Sequence, residues 1–502
     1  MRILMLGWEF PPYMAGGLGT ACFGLTRALH RAGHQITFVM PRAVGRGGAE
    51  HVDLVGPDSL RATISSGVHA PARPAAGGAG SALAAGLQAE VRTLVEKQLV
   101  EEKGFDLEGT RVVSLPAGFD NPYPGGRAFD AAREATRLKE LIRILRERGI
   151  ELPAEASRVV SGASSLPLPS GTANELNALL DAADRLCAEG SQYGKDLFGD
   201  AERYARVVAA LASSLRFDII HAHDWLAFPA GMAVRAVSGK PLVCHVHATE
   251  FDRSGEHINQ HVYDIERAGV HAADRVVAVS RLTMEILTHR YGIGPEKVDV
   301  VYNGIEAEEA QPQMGGKIES DDKIVLFLGR ITMQKGPEYF IRAAARVLEK
   351  YEKVKFVVAG SGDMALRMIE EAAHLGIGHK VLFTGFLRGR DVERVYAMAD
   401  CYVMPSVSEP FGIVALEAIK HDTPTIISKQ SGVSEVLSHA LKVDFWDIND
   451  MADKILAVLR YPPLSQTLRQ HGPFEIRRLT WDDAARKAVG SYGRAIAAHA
   501  GA

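Results

Sequence analysis

The sequence contains few cysteines, and they are not grouped in a way that would bind a metal or form a disulfide framework. Only four occur in 502 residues, namely Cys22, Cys187, Cys244 and Cys401, and none belongs to a Cys-x-x-Cys pair. Disulfide-rich and cysteine-ligated zinc domains place cysteines at short, regular spacings, so both classes are disfavoured. This cysteine usage fits a reducing compartment, and we expect a cytoplasmic protein.

The sequence also lacks long apolar runs and a large excess of charge of one sign. No stretch approaches the ~20 apolar residues that a membrane-spanning helix needs, and residues 1–7 are too short an apolar run for a secretion signal. The formal net charge is −4, from 57 basic and 61 acidic residues. Nothing in this balance favours nucleic acid or an anionic membrane as a partner. The sequence leaves the oligomeric state open.

The length and the alternation of strand and helix patterns predict two α/β domains, because 502 residues exceed what one hydrophobic core usually supports. Residues 1–306 are expected to form the first domain, 323–480 the second, and 481–502 a terminal helix. A cleft between two such domains is the natural ligand site. Residues 43–200 contain an Ala-, Gly- and Pro-rich stretch followed by three helical patterns, and no motif there indicates a role.

The strand and helix patterns predict a doubly wound parallel sheet in each domain. For the first domain we expect strands at 2–7, 36–39, 218–223, 241–247 and 275–279, with helices at 25–33 and 201–215. For the second we expect strands at 324–328, 355–359, 380–384, 400–404 and 424–427, with helices at 337–351, 366–375, 391–398 and 413–420.

Two cations follow the first strand of the second domain. Arg330 and Lys335 lie five residues apart at the expected carboxyl end of that strand. An arginine guanidinium can form bidentate hydrogen bonds with a diphosphate, and a lysine ammonium adds a compact positive charge. The pair is therefore suited to phosphate binding. The alternative is two solvated loop cations.

Two carboxylates, Glu409 and Glu417, lie eight residues apart around the start of a predicted helix. Pro410 and Gly412 break the chain between them, and the helix begins at Ile413, so its free amide groups form an anion site beside Glu409. Glu417 lies about one turn further along. One carboxylate near a phosphate and another near a diol is typical of sugar-nucleotide sites. The alternative is a surface helix with two solvated glutamates.

Three predicted strands of the first domain end in polar residues, and such ends meet at one edge of a parallel sheet. One strand carries His221 and His223 and is followed by Asp224 and Trp225, the next ends at His247, and the third is followed by Ser280. A His-x-His pair can bind a metal, but no nearby carboxylate can be placed, so we predict no metal site. For His247 the alternative is a buried histidine bonded to backbone.

A glycine pair, Gly16 and Gly17, lies between the first predicted strand and helix, where glycine lets backbone approach a ligand. A dinucleotide-binding fingerprint is disfavoured because it needs its first glycine directly after the strand.

Together these stretches resemble retaining GT-B glycosyltransferases of families four and five, which include glycogen and starch synthases. The resemblance covers residues 1–42, 201–306 and 323–495 and is most specific in the segment SEPFGIVALEA. It implies a GT-B fold, with two doubly wound Rossmann-like domains facing a cleft, a helical insertion in the first domain, and a last helix that crosses back to that domain.

The resemblance also implies roles for the matching residues. Arg330 and Lys335 would clamp the donor pyrophosphate, Glu409 would position the sugar, Glu417 would hold the ribose diol, and His247 would contact the transferred sugar. Further donor contacts are implied at Gly16, Gly17, Phe386, Leu387, Phe411, Gly412 and Ile413. An acceptor-side wall is implied at His223, Asp224 and Trp225.

The implied activity is transfer of glucose from ADP-glucose or UDP-glucose to an α-glucan with retention of configuration, without a cofactor or metal. Met14 stands where bacterial glycogen synthases carry a lysine, which favours the broader family four. One alternative is therefore a family-four enzyme that acts on a small sugar, a sugar phosphate or a lipid-linked acceptor. Another is a non-catalytic protein that binds sugar nucleotides or glucan.

Overall fold

The computed structural model of the protein describes residues 1–11, 16–41, 51–55, 111–113, 196–213, 215–306 and 322–501. Its strands are β1 (Arg2–Leu6), β2 (Gln35–Val39), β3 (Asp53–Val55), β4 (Arg111–Val113), β5 (Ile219–His223), β6 (Leu242–Val246), β7 (Arg275–Ala278), β8 (Val298–Val300), β9 (Lys323–Leu328), β10 (Val354–Ala359), β11 (Val381–Gly385), β12 (Cys401–Met404), β13 (Thr425–Ser428) and β14 (Leu441–Val443). Its α-helices are α1 (Gly17–Arg31), α2 (Leu197–Ala212), α3 (Phe228–Ser238), α4 (Glu250–Ser254), α5 (Gln260–Ala272), α6 (Arg281–Tyr291), α7 (Pro337–Leu348), α8 (Ala365–His374), α9 (Arg390–Met398), α10 (Ile413–Lys420), α11 (Ile448–Arg460), α12 (Pro462–Ile476) and α13 (Trp481–Ala500).

The chain divides into two compact units. Unit 1 consists of Met1–His245, Asp264–Val276 and Val489–Ala502. Unit 2 consists of Val246–Tyr263 and Val277–Ala488. The domain boundaries expected from the sequence stay a prediction.

The first sheet has the strand order β3-β4-β2-β1-β5-β6-β7-β8. β1 pairs in parallel with β2 on one side and with β5 on the other, with Ile3 opposite Ile36 and Ile219. The strand order reverses at the β1–β5 pair, and the carboxyl ends at such a switch point are where doubly wound sheets bind ligands.

The second sheet has the order β11-β10-β9-β12-β13-β14, and its strands pair in parallel. The chain runs outward from β9 through β10 to β11 and then returns to β12 on the other side of β9. This is the dinucleotide-fold strand order, with its switch point between β9 and β12. The predicted doubly wound sheets are therefore confirmed.

Residues of the second sheet alternate between two apolar cores, as the two-residue period of a strand requires. In β9, Val325 and Phe327 face one core, to which α7 contributes Phe340. Leu326 faces the other core, to which α10 contributes Leu416. Both faces of the sheet are covered, which explains the continuous apolar runs in its strands.

Several predicted elements differ from those observed. α1 begins at Gly17 rather than at residue 25, because the carboxylate of Glu9 accepts the amide hydrogens of Gly16 and Gly19 and so caps the helix. α7 ends at Leu348 rather than at residue 351. The strands β8 and β14 were not predicted, because three-residue strands leave almost no pattern. The helices α3 to α6, α11 and α12 were not predicted either.

The three helical patterns predicted within 43–200, the linker predicted from residue 306 to residue 322, and Met14 lie wholly or mostly outside the described residues. Among the described helices, none combines the length and the apolar character needed to cross a membrane.

Candidate functional site

The loops that follow β9, β10 and β11 are joined through their backbones. The Ile331 amide donates to Ser361 O at 2.9 Å, and the Gly360 amide donates to Gly385 O at 2.9 Å. A Cβ at Gly362 would lie 2.2 Å from Ile331 O, so this packing requires glycine. These contacts fix the carboxyl-terminal edge of the second sheet on the β9 side of the switch point.

Lys335 and Glu409, 74 positions apart, form an ion pair at this edge. Lys335 Nζ lies 2.5 Å from Glu409 Oε2, and the Ser406 hydroxyl donates to the same oxygen at 3.1 Å. Lys335 follows β9 and Glu409 follows β12, the two strands of the switch point. The pair is largely buried, with side-chain exposures of 19% and 8%. Charge-assisted bonds at such a site are strong and orient both groups.

The two loops that carry this pair are also joined by backbone contacts. The Val407 amide donates to Gln334 O at 2.9 Å. Gly336, at φ 64°, ends the 3-10 turn Met333–Lys335, and a Cβ there would lie 2.2 Å from Pro405 O. The turn can approach the β12 loop this closely only with glycine at this position.

The backbone of Glu409 is held from the opposite side by the segment after β13. Its amide donates to Gln430 O at 2.9 Å, and its carbonyl accepts from the Gly432 amide at 2.9 Å. That segment ends at Glu435, whose carboxylate accepts the first amides of α6 and the Tyr302 hydroxyl. Burial, with Glu435 beside it, raises the pKa of Tyr302 to about 12.

Arg330 lies on the same loop as Lys335 but in a different environment. Its side chain is exposed, and across the described ranges it forms no ion pair. Its guanidinium is thus available to a ligand, whereas the Lys335 ammonium is already paired with a carboxylate.

The segment between Glu409 and Glu417 forms a sharp entry into α10. Gly412 has φ 110°, and a Cβ there would lie 3.1 Å from Met404 Cε. Phe411 is buried and packs against Tyr302, with ring centroids 6.0 Å apart. Ile413 is the first residue of α10 and is half-buried.

Glu417 lies in α10 beside a buried tyrosine. The Tyr396 hydroxyl lies 3.2 Å from both a Glu417 carboxylate oxygen and Val414 O. Burial raises the pKa of Glu417, and the hydrogen bond from Tyr396 partly opposes this shift. The same surroundings raise the pKa of Tyr396 well above its usual value.

The predicted base platform follows β11. Phe386 is 53% exposed, and the Arg388 guanidinium lies 5.3 Å from its ring centre. Leu387 is half-buried against the second core. Gly385, at φ 73°, sets the turn that presents these residues.

The segment after β6 brings His247 into unit 2 together with Lys335 and Glu409. His247 is half-buried, and burial lowers its pKa to about 3, so it is neutral at pH 7. Thr249 and Asp252 then form a capping box at the start of α4, which packs beside the turn that carries Lys335.

Asp252 and Ser408 are site residues that were not predicted from the sequence. The Ser408 hydroxyl donates to Asp252 Oδ1 at 2.6 Å. The Thr-x-x-Asp spacing at Thr249 could have indicated the capping box. The contact with Ser408 spans 156 positions and leaves no trace in a single sequence.

In unit 1, His223 belongs to a cluster of three buried histidines with His221 and His245, whose nitrogens lie within 4.8 Å of one another. His221 Nε2 lies 3.1 Å from His245 Nδ1, and His221 Nδ1 lies 2.6 Å from the Tyr492 hydroxyl. Such spacing suits either a hydrogen-bonded chain or metal ligation. Both nitrogens of His221 already have partners, which favours the chain. Absence of a metal stays a prediction.

Asp224 and Trp225 follow this cluster at the end of β5. Asp224 has φ 58°, a left-handed conformation that few non-glycine residues adopt, and its amide donates to His245 O at 2.9 Å. Trp225 is buried, with its ring centroid 5.5 Å from that of Phe198. Strained backbone at a strand end is common at ligand sites.

Gly16 and Gly17 are exposed at the start of α1, where Gly16 is the N-cap. The Glu9 carboxylate lies 3.2 Å from the Gly16 amide and 3.3 Å from that of Gly19. The anionic group at the start of α1 is therefore a carboxylate of the protein itself, Glu9. The sequence did not indicate this contact. The predicted contact of these glycines with donor phosphate stays a prediction.

Three family models match successive parts of the chain. Residues 2–66 match the starch synthase catalytic domain, 181–309 match Glycosyltransferase Family 4, and 312–473 match glycosyl transferases group 1. The last match covers the second sheet with Lys335, Glu409 and Glu417.

Curated relatives agree with these matches. An uncharacterized glycosyltransferase of Methanocaldococcus jannaschii is 35% identical over 45% of this chain and 60% of its own length. A glycogen synthase of Mycobacterium tuberculosis is 28% identical over 50% of this chain and 63% of its own length. A D-inositol 3-phosphate glycosyltransferase of a Mycobacterium species is 30% identical over 56% of this chain and 67% of its own length. The first two matches thus span about three fifths of those relatives.

Solved structures share the fold over nearly the whole chain. Sucrose-phosphate synthase from Thermosynechococcus elongatus superposes with a TM-score of 0.64 at 18% identity, covering 99% of this chain and 100% of that one. Anabaena HepE, solved with UDP and glucose, gives a TM-score of 0.58 at 16% identity, covering 98% and 99%. With these matches, the chain belongs to the glycosyltransferases of group 1 and family 4 and has the GT-B fold.

Proposed function

We propose that the protein transfers glucose from ADP-glucose or UDP-glucose to an α-glucan and retains the configuration at the anomeric carbon. The observation that carries the proposal is the Lys335–Glu409 pair at the switch point of the second sheet. A cation and a carboxylate held together there can bind the two parts of a nucleotide sugar, the cation binding the diphosphate and the carboxylate binding the sugar hydroxyls.

Departure of the nucleotide leaves negative charge on the β-phosphate and positive charge on the sugar ring. Arg330 and Lys335 would stabilise the phosphate, together with the amides that begin α10 after Gly412. Glu409 would orient the sugar hydroxyls, and neutral His247 would contact the transferred sugar. As in the enzymes that the chain resembles, the leaving phosphate would take the acceptor proton on the same face. We expect no metal and no cofactor to take part.

The remaining proposed contacts are with the ribose and the base of the donor nucleotide. Glu417 would accept from the ribose diol, and the backbone beside Phe386 and Leu387 would hold the base. The Glu417 carboxylate is half-buried beside Tyr396, and among the described residues it forms no ion pair that a diol would have to displace.

A transferase that acts on a small phosphorylated acceptor is the second candidate. The 30% identity to D-inositol 3-phosphate glycosyltransferases favours it. The donor site would be unchanged, and only the acceptor would differ. A non-catalytic sugar-nucleotide or glucan-binding protein is a third candidate, and hydrolysis of the donor without added acceptor would exclude it.

The test is a screen of donors and acceptors. We would incubate the protein with radiolabelled UDP-glucose or ADP-glucose and with glycogen, maltooligosaccharides, glucose 1-phosphate, fructose 6-phosphate or inositol 3-phosphate. By resemblance to glycogen synthases we propose that the new linkage is α-1,4, which predicts label in a polymer that an α-1,4-specific amylase digests. Label found only in a small product would favour the second candidate, and amylase-resistant polymer would overturn the α-1,4 linkage.

A further inference from the structure

Asp252 is a buried carboxylate whose two oxygens have different partners. Oδ2 accepts the amide and the hydroxyl of Thr249, each at 2.7 Å, and so closes the capping box of α4. Oδ1 accepts the Ser408 hydroxyl at 2.6 Å. The residue is only 2% exposed. One oxygen therefore stabilises a short helix, and the other joins that helix to the β12 loop.

The two segments joined in this way carry the groups that we assign to the sugar. Ser408 directly precedes Glu409, and Thr249 lies two residues after His247. The segment after β13 holds the backbone of Glu409 from one side. The hydroxyl of Ser408 ties the same loop to a second segment, α4. All of these residues belong to unit 2.

We propose that the Ser408–Asp252 hydrogen bond is a positioning contact that fixes the Glu409 loop relative to the segment carrying His247, and that it supports turnover rather than nucleotide binding. The inference rests on the proposed function. Neither residue is assigned a contact with substrate, so both act through Glu409 and His247.

We expect the contact to affect turnover because the sugar must be held between groups from two different segments. Displacement of a catalytic group by about 1 Å can lower a rate by about 100-fold. We assign nucleotide affinity to Arg330, Lys335 and Glu417. Removing the Ser408 hydroxyl leaves the Lys335–Glu409 ion pair and the Val407–Gln334 backbone bond in place, so we expect the phosphate-binding turn to keep its position. Loss of the contact should therefore lower kcat and leave the dissociation constant of free nucleotide diphosphate unchanged.

The experiment compares Ser408→Ala with Ser408→Thr, which keeps the hydroxyl, and with Ser238→Ala. Ser238 is a matched control because its hydroxyl donates to Val234 O at the end of α3, in unit 1. We expect kcat to fall about tenfold or more in Ser408→Ala, to recover largely in Ser408→Thr, and to stay unchanged in Ser238→Ala. A wild-type kcat in Ser408→Ala would overturn the inference.

A double-mutant cycle separates this contact from the capping role of Asp252. Asp252→Ala removes both roles, so adding Ser408→Ala to it should lower kcat no further. If the two effects multiplied instead, Ser408 would act by another route and the inference would be wrong.

Amide hydrogen exchange gives a readout that does not depend on activity. We expect residues 405–412 to exchange faster in Ser408→Ala than in the wild type, and unchanged exchange there would overturn the positioning role. If the wild-type protein transferred no sugar from any donor, the proposed function would fail, and the part of the inference that concerns turnover would fail with it. Hydrogen exchange would still show whether the contact orders the loop.

Discussion

Arg330 and Lys335 lie on one loop, but their side chains have different surroundings. Lys335 is paired with a buried carboxylate, whereas Arg330 is exposed. Removing the ammonium of Lys335 leaves Glu409 without its counter-ion, and an unpaired buried charge lowers stability. Removing the Arg330 guanidinium leaves no such group. The two cations should therefore differ in their contribution to folding even if both bind phosphate.

We predict that Arg330→Ala and Lys335→Ala each weaken binding of nucleotide diphosphate by about 1.5–3 kcal/mol, through loss of a charge-assisted contact. Only Lys335→Ala should also lower the free energy of unfolding, by about 1–3 kcal/mol. Calorimetric titration with UDP and ADP and urea denaturation would measure the two effects. Unchanged nucleotide affinity in both variants would remove the phosphate clamp from the proposal.

The protonation of Glu417 links stability to ligand binding. Burial raises its pKa above the ordinary value of 4.5, so the folded state holds the proton more tightly than the unfolded state. The protonated carboxyl contributes to the free energy of unfolding at pH values below its pKa in the unfolded state. This contribution is lost as the pH rises through its pKa in the folded state. At neutral pH the charge on this half-buried carboxylate thus destabilises the protein, while its oxygens remain available to a diol.

We predict that Glu417→Gln raises the melting temperature at pH 7.5 and that the difference from wild type narrows as the pH falls toward 4. The same variant should bind nucleotide more weakly. Glu370→Gln, at an exposed position of α8, is the matched control and should change neither property. A lower melting temperature for Glu417→Gln at pH 7.5 would contradict the assigned direction of the pKa shift.

At the scale of elements, the turn that carries Lys335 depends on a glycine for two separate reasons. Gly336 has a left-handed conformation, and it lies against the carbonyl of Pro405. Gly376, which follows α8, has a similar φ of 72°, but no atom of the described residues lies within 4 Å of the position that a Cβ would take there. Comparing the two glycines separates the conformational cost from the steric cost.

We predict that Gly376→Ala lowers the free energy of unfolding by about 1–2 kcal/mol, which is the cost of a left-handed non-glycine residue. Gly336→Ala should cost about 2–5 kcal/mol, because overpacking adds to that cost. It should also weaken nucleotide binding, since the turn must move away from Pro405. Chemical denaturation and calorimetry would measure both effects, and equal costs for the two variants would contradict the assigned close approach.

The sequence predicted the second sheet well because its strands are buried on both faces and therefore form apolar runs. The five strands predicted for this sheet match observed strands within two residues at each end. The start of α1 could not be predicted in this way. Its glycines are typical of a loop, and the carboxylate that caps it comes from Glu9, outside the helix.

The candidate residues of the site could be predicted from local motifs, but their contacts could not. The spacing of Arg330 with Lys335 and of Glu409 with Glu417 is visible in the sequence. The pairing of Lys335 with Glu409 arises only when β9 and β12 become neighbours in the sheet. A single sequence carries no information about such long-range contacts.

For the whole molecule, the proposed chemistry needs only side chains and backbone amides to stabilise the leaving phosphate. We therefore predict that dialysis against EDTA leaves the transfer rate unchanged, and that added Mg²⁺ or Mn²⁺ does not raise it. The histidine cluster around His221 makes this a necessary test, because its spacing would also suit a metal. A rate that fell with EDTA and returned with one metal would show that the cluster or another site holds an ion needed for turnover.

Turnover of the Glu409→Gln variant at saturating nucleotide sugar tests the central claim most directly. Release of nucleotide diphosphate would be measured for this variant and the wild type with the acceptor identified by the screen, alongside calorimetric titration with free nucleotide. We predict a rate about 100-fold or more below wild type, with nucleotide affinity within about twofold, because the proposal assigns Glu409 to the sugar rather than to the nucleotide. A wild-type rate at saturating donor would contradict this assignment, since the Lys335–Glu409 pair would then be only structural.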